Sequence, residues 1–156
     1  MSSVLSKAVV VGTSLWIAVV TSSSLAFAKA PVAKIGHGNI VKLEVSSSEA
    51  EITRGLMFRT AMPEDSGMVF LFHPARAVNF WMYHTLIPLD MLFVKDGKVV
   101  KLFEHVAPCK SENPHDCPTY PAGAGLSVSE VIEVNSGWAG RHGVKEGDQV
   151  TFDLPN

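Results

Sequence analysis

The chain has 156 residues, of which 47% are hydrophobic and 18% are charged, and its formal net charge is −2. This composition is typical of one globular domain with a single hydrophobic core. The 13 lysine and arginine residues are scattered singly along the chain, so we expect neither a nucleic-acid partner nor binding to a membrane surface.

Residues 1–28 have the three parts of an export signal in the usual order. Lys7 supplies the positive charge, Ala8 to Val20 form a short apolar core, and Ala26-Phe27-Ala28 is a small-residue cleavage pattern. We predict cleavage after Ala28 and therefore an exported protein, either periplasmic or extracellular. The alternative is an uncleaved membrane anchor, but the apolar run is shorter than the roughly 18 residues that a span needs. Without Lys7, 12 basic residues remain against 15 acidic ones, a net charge of −3.

The mature chain begins with a segment that has little periodicity. Residues 29–38 contain Pro31, Gly36 and Gly38, and we predict a flexible leader there. The domain is accordingly predicted to span residues 39–156, and the alternating pattern NIVKLEV at its start predicts a half-buried strand.

A helix and a series of short strands are predicted to follow. Ser48 and Glu51 form a capping box, in which each residue's side chain bonds the other's backbone amide, so a helix is predicted to begin there. Turn residues from Pro63 to Gly67 precede the β-like runs MVFLF, AVNFWM, DMLFV and KVVKLFEHV. The Asp96-Gly97 pair between the last two runs predicts a hairpin. Together with SEVIEV and QVTFDL, this pattern predicts a mainly β fold with short helices (α+β), built as a small antiparallel barrel or sandwich.

The only two cysteines, Cys109 and Cys117, lie in the short segment PCKSENPHDCP. In an exported protein this pair most simply predicts one disulfide bond. A zinc or copper site that uses both thiolates and His115 is a second interpretation, because thiolate and imidazole suit these metals. A catalytic thiol is a third interpretation, but no base partner is indicated.

Four motifs in this order resemble the domain of unknown function 192 family. They are RGLMFR at Arg54 to Arg59, PEDSGMVFLF at Pro63 to Phe72, FWMYHTLIPLDMLFV at Phe80 to Val94, and GVKEGDQV at Gly143 to Val150. The resemblance covers roughly residues 41–154. It implies a compact β-rich domain, frequently exported in bacteria, for which no activity or cofactor is established. The family commonly has asparagine where this chain has His84, so a role that needs a neutral amide does not transfer.

The charged residues near the third motif are the candidates for a binding or catalytic site. Asp90 is predicted to open a strand, and its carboxylate could pair with Arg54, Arg59 or Arg76, since arginine offers a bidentate match. The same carboxylate could instead act as a general base. His84 lies close to it in sequence and could take part in proton transfer, although a lone histidine in an aromatic segment is more often structural.

Two functional hypotheses follow from these residues. The first is a non-catalytic exported module that binds a small molecule or serves another exported protein, with a cleft edged by Trp81, His84, Asp90 and one of the arginines. The second is a small hydrolase or lyase-like enzyme that uses Asp90 and His84 as acid and base.

A lesser alternative is periplasmic copper binding through the five methionines of the mature chain. Methionine also fills gaps in cores, however, and no methionine follows Cys109 in the manner of blue-copper sites. No dinucleotide-binding, phosphate-binding or zinc-protease motif occurs in the sequence, so we predict no cofactor and no dedicated metal site.

Overall fold

The computed structural model describes residues 29–155, and the predicted export signal at residues 1–28 lies outside the described residues. Nine strands and two short helices form this part of the chain. In chain order they are β1 (Val32–Ile35), β2 (Asn39–Ser46), α1 (Glu49–Arg54), β3 (Ser66–Arg76), β4 (Asn79–Trp81), β5 (Leu89–Lys95), β6 (Lys98–Val106), a single 3-10 turn (Pro114–Asp116), β7 (Thr119–Pro121), β8 (Val128–Asn135), α2 (Trp138–Arg141) and β9 (Val150–Asp153). Within residues 29–155, no helix has the length and apolar character needed to cross a membrane.

Seven strands form one sheet in the order β6-β5-β8-β3-β2-β1-β9, and β4 pairs with β7 in a second, small sheet. Every pair is antiparallel except β2 with β3. The large sheet curls so that its two edge strands approach each other at one end. There Lys98 of β6 forms a bridge with Gln149, the residue before β9, and the Val99 N–H donates to the Asp148 carbonyl at 2.9 Å. The predicted mainly β class is confirmed, and the sheet forms an open, curled barrel.

The predicted leader at residues 29–38 is wrong for its central part. Val32–Ile35 form β1, which pairs with β2 on one side and with β9 on the other. Ala33 and Ile35 are fully buried in the core, so the domain begins before Asn39. Four residues are too few to display a clear alternation, and β1 owes its order to the two strands that flank it.

The local sequence signals were more reliable. The Asp96-Gly97 hairpin is confirmed, with φ of 50° and 68° at the two turn residues. The capping box of Ser48 and Glu51 is also confirmed. The helix ends at Arg54 because Gly55, at φ 43°, terminates it, and a Cβ at Gly55 would lie only 3.1 Å from the Phe70 ring. This close approach brings the last turn of α1 onto β3.

The core is divided between the two faces of the large sheet. One cluster includes Ile132, Val134 and Trp138, whereas the other includes Val131 and the aromatic residues Phe70, Phe72 and Phe93. Because successive residues of a strand point to opposite faces, alternate positions of β8 belong to different clusters. Glu133, which lies between Ile132 and Val134, therefore faces the aromatic cluster. This residue defines the candidate site.

Candidate functional site

A small cleft lies between the last turn of α1 and the segment that follows β4. It has a volume of about 30 Å³, enough for one or two water molecules. A wider depression of about 240 Å³ adjoins it and shares the walls formed by Ile52, Thr53, Phe80 and Trp81. The polar and aromatic residues that line the cleft are Thr53, Arg54, Phe70, Phe80, Trp81, Tyr83, Thr85 and Glu133.

Glu133 is the most buried acid of this cleft. It lies in the middle of β8, where its cross-strand neighbours are Met68 on β3 and Met91 on β5. Only 4% of the residue is exposed, and burial raises the pKa of its carboxyl group to about 8. No hydrogen bond contributes to this shift. At neutral pH the group is therefore an uncharged carboxylic acid, with one O–H donor and one C=O acceptor available for a partner.

Aromatic side chains form a row at the rim of the cleft. The ring centroids lie 5.5 Å apart for Trp81 and Tyr83, 3.8 Å apart for Tyr83 and His84, and 4.8 Å apart for His84 and Phe58. Phe58 is 61% exposed and Trp81 is 38% exposed. Large exposed aromatic side chains beside a polar recess are a common feature of binding sites.

Two residues of this row have a strained backbone. Phe58 and His84 have φ of 64° and 56°, a conformation that is costly for residues with large side chains. The Phe58 N–H donates to the His84 carbonyl at 2.8 Å, which fixes the two strained residues against each other. Asparagine tolerates this conformation well, and this gives a backbone reason for the asparagine that the family commonly has at the position of His84.

The disulfide loop supports the same edge of the cleft. Cys109 and Cys117 form a bond with a Cα–Cα distance of 5.7 Å. The Cys109 N–H donates to the Met82 carbonyl at 3.2 Å, and the Tyr83 hydroxyl donates to the Glu112 carbonyl at 3.2 Å. Both sulfur atoms are committed to the disulfide, so neither thiolate is available for the metal site that was the second interpretation of this segment.

Asp90 is the second residue of β5, close to the predicted strand start, but its predicted arginine partner is wrong. The residue is fully buried, and its carboxylate accepts backbone N–H groups of His105 at 2.8 Å, Gly137 at 3.0 Å and Ala139 at 2.9 Å. These bonds join β5 to the end of β6 and to the first turn of α2. The predicted acid–base pair with His84 is not assembled, because the Asp90 oxygens are bonded to amides and the His84 ring stacks on Phe58.

The three candidate arginines lie in different places. Arg59 pairs with Glu44, and its hydrogen bond lowers the pKa of that carboxyl group. Arg76 pairs with Glu49 at 2.7 Å. Arg54 lines the cleft and forms no ion pair with any carboxylate of residues 29–155. Of the predicted site residues, the structure brings Trp81 and Arg54 together in the cleft and places His84 beside them through Tyr83. Arg59 shares a neighbouring depression with Arg54, whereas Asp90 and Arg76 line neither.

Comparison with known proteins gives the family of the chain. Residues 32–152 match the model of the domain of unknown function 192 family, which is described as "Uncharacterized ACR". The chain belongs to this family. The similar solved structures include a protein of unknown function from Novosphingobium aromaticivorans, with 34% identity, coverage of 78% of this chain and 83% of that chain, and a TM-score of 0.67. Another is a protein from Sinorhizobium meliloti described as a candidate transcription regulator, with 31% identity, coverage of 79% and 94%, and a TM-score of 0.67. No curated protein matches the sequence.

Two of the motifs typical of the domain of unknown function 192 family form walls of the cleft. RGLMFR contributes Arg54 to Met57, and the start of FWMYHTLIPLD contributes Phe80, Trp81, Tyr83 and Thr85. The site is thus built largely from segments that identify the family.

Three of the five methionines within residues 29–155 are explained by packing. Met68, Met82 and Met91 are buried in the aromatic core cluster. Across residues 29–155, no three histidine, cysteine, aspartate or glutamate side chains lie close enough together to hold a metal ion. Packing in the core accounts for these three methionines without a copper site.

Glu133 is the site residue that sequence reasoning missed. The only signal was an acid inside the apolar run VIEV, and a strand with one exposed face would present such an acid to water. β8 instead lies between β3 and β5 and is covered on both faces. An acid in such a strand is buried whichever face it occupies. Its burial can therefore be predicted only when the strand order is known.

Proposed function

We propose that this protein is an exported, non-catalytic module that binds a small ligand in the cleft above Glu133. The observation that carries the proposal is the buried, uncharged carboxyl group of Glu133 at the base of the cleft. This carboxyl group lines the cleft, where a ligand could bond it, and perturbed acids in clefts are frequent at functional sites.

The remaining groups of the cleft favour binding over catalysis. Apolar and aromatic walls with a few polar groups are typical of small-molecule sites. A catalytic site usually pairs a nucleophile with a base or an acid with a second titratable group. Among the described residues that line the cleft there is no histidine, and Glu133 is the only acid, so the hydroxyl groups of Thr53 and Thr85 have no assembled acid–base pair beside them.

Export of the protein is part of the proposal. It is supported by the signal pattern of residues 1–28 and by the disulfide between Cys109 and Cys117, since disulfides persist in oxidising compartments. The intact mass of the protein from the periplasmic or extracellular fraction tests both points. We expect a chain that starts at Lys29 and that is lighter than the reduced chain by the two hydrogens lost on disulfide formation. A full-length cytoplasmic chain with free thiols would contradict export.

Ligand-observed NMR with a library of small neutral, anionic and cationic compounds tests the site. We expect compounds that bind the wild-type protein, lose binding in Trp81→Ala, and retain it in Leu86→Ala. Leu86 is a matched control because it is an exposed hydrophobic residue of the same segment that lies outside the cleft lining. The proposal fails if no compound binds, or if Trp81→Ala leaves every bound compound unaffected.

One observation favours a second candidate function, a small hydrolase or lyase-like enzyme. The raised pKa of Glu133 suits a general acid at neutral pH. This enzyme would use Glu133 instead of the predicted pair of Asp90 and His84. Glu133→Gln separates the two functions, because an amide preserves hydrogen bonding to a ligand and removes the transferable proton.

A transcription regulator, as the Sinorhizobium meliloti protein is described, is not the function that we propose. Removal of residues 1–28 leaves a net charge of −3 with no basic stripe, and DNA binding depends on clustered lysine and arginine side chains.

A further inference from the structure

We infer that the ligand of the cleft is an uncharged carbohydrate, with one sugar ring stacked on Trp81 and one of its hydroxyl groups bonded to Glu133. This inference rests on the proposed function and names the class of ligand that the same site takes.

The size of the site fits one sugar ring. The outer depression, of about 240 Å³, is smaller than the roughly 300–1,000 Å³ of pockets for drug-sized molecules. The inner cleft, of about 30 Å³, admits a single hydroxyl or hydroxymethyl group. A ring in the outer depression would therefore extend one substituent into the inner cleft, towards Thr85 and Glu133.

The outer depression combines an apolar face with polar edges. Its walls include the indole ring of Trp81 and the phenyl ring of Phe80, together with the polar side chains of Asn79 and Thr53. The electron-rich face of an aromatic ring attracts groups with a partial positive charge, such as the C–H bonds on one face of a sugar ring. The hydroxyl groups around the edge of that ring would find an amide and a hydroxyl as partners.

The inner cleft is complementary to a hydroxyl group. A hydroxyl group both donates and accepts hydrogen bonds, and so does the uncharged carboxyl group of Glu133. The hydroxyl group of Thr85 has the same dual capacity. A carboxylate would accept from Glu133 but would leave the carbonyl oxygen of that acid without a donor. A cation is opposed by Arg54, which is the only side chain charged at neutral pH among the described residues that line the cleft.

Isothermal titration calorimetry of the purified protein tests this ligand class. The probes are glucose, galactose, N-acetylglucosamine, their methyl glycosides and a β-1,4-linked trimer of N-acetylglucosamine, with acetate and inorganic phosphate as anionic comparators. We expect at least one saccharide to bind. Trp81→Ala should weaken its affinity by about tenfold or more, because stacking and apolar contact are both lost. Trp81→Phe should stay within about threefold, and Leu86→Ala should be unchanged.

The pH dependence provides a second readout that a purely structural role of Glu133 would not give. Between pH 7 and 9 the wild-type affinity should fall about tenfold, as the acid loses the proton that it donates. Glu133→Gln should bind with an affinity that is constant over this range. Its neighbours on β3 and β5, Met68 and Met91, carry no charge. Arg54 and Tyr83 are present in both proteins, so the difference between the two pH profiles reports Glu133 alone.

The possible outcomes separate this inference from the proposed function. Binding of phosphate or acetate that depends on Trp81, with no binding of any saccharide, would overturn the carbohydrate inference and leave the proposed function intact. If neither these probes nor the compounds of the small-molecule library bind, both fail. If a saccharide binds, much tighter binding of the trimer than of the monosaccharide indicates a glycan chain, whereas similar affinities indicate a free sugar.

Discussion

Replacement of Glu133 by glutamine should make the protein more stable at alkaline pH. The carboxyl group has a pKa of about 8 in the folded protein, against an ordinary value of 4.5. Between these values the folded chain holds a proton that the unfolded chain has released. The contribution of Glu133 is therefore fully present below pH 4.5 and is lost as the pH rises through 8. At about 1.4 kcal/mol per pH unit, stability should fall by about 4 kcal/mol between pH 5 and 8.

Urea unfolding of the wild type and Glu133→Gln at pH 5, 6.5 and 8 measures this effect. We expect the free energies of unfolding to diverge with increasing pH, with the variant more stable at pH 8 and with equal m values. Histidines and the other acids contribute equally in both proteins, so their effects cancel in the difference between the two free energies of unfolding. Glu130→Gln, the same change at a partly exposed position of β8, should follow the wild type.

A constant difference between wild type and Glu133→Gln from pH 5 to 8 would refute this reasoning. It would mean that Glu133 ionises in the folded protein as readily as in the unfolded chain, so that the acid is solvated or paired. In that case the uncharged group on which the proposed site depends would not exist at neutral pH.

Three further expectations concern the scaffold of the site, and each is measured by urea unfolding. Asp90→Asn should lower the free energy of unfolding by about 2–4 kcal/mol, because its amide would place a donor against a backbone N–H. Asp96→Asn is the control and should be nearly neutral, since its turn suits asparagine. Equal effects would mean that the buried carboxylate is dispensable. His84→Asn should change the free energy of unfolding by under about 1 kcal/mol. His84→Val should lower it more, because a β-branched residue is disfavoured at φ 56°. Similar losses in the two variants would argue against this backbone conformation. Ile35→Ala should lower the free energy of unfolding by about 2–5 kcal/mol, and the same change at the exposed Ile40 should lower it far less. Equally small losses would mean that β1 is the flexible leader predicted from the sequence.

Much of the fold was predictable because its signals are local. The hairpin at Asp96-Gly97 requires only two residues with positive φ between alternating runs, and the capping box requires only residues Ser48 and Glu51. β1 was missed because its order comes from β2 and β9, and β9 lies at the other end of the chain. The parallel pairing of β2 with β3 is likewise a property of the assembled sheet and has no local signal.

The candidate site was predictable only in part. Trp81 and Arg54 were identified from their chemistry, and both line the cleft. Asp90 was assigned an arginine partner because a buried carboxylate needs donors, and the donors are instead backbone amides of β6 and α2. Amide donors are present in every residue, so the sequence cannot indicate which of them will converge on one acid. The burial of Glu133 could not be predicted because it depends on the strand order.

The two acids buried on neighbouring strands have opposite roles because of their environments. Asp90 and Glu133 lie on β5 and β8, which pair directly. Asp90 accepts three backbone N–H groups, so its carboxyl group is fully partnered and ties β5 to β6 and α2. Glu133 is flanked by two methionines and has only burial to perturb it, so it destabilises the fold when ionised. An acid whose donors are all supplied by the protein is explained by structure, whereas Glu133 has no such donors and lies in the cleft where we propose that a ligand binds.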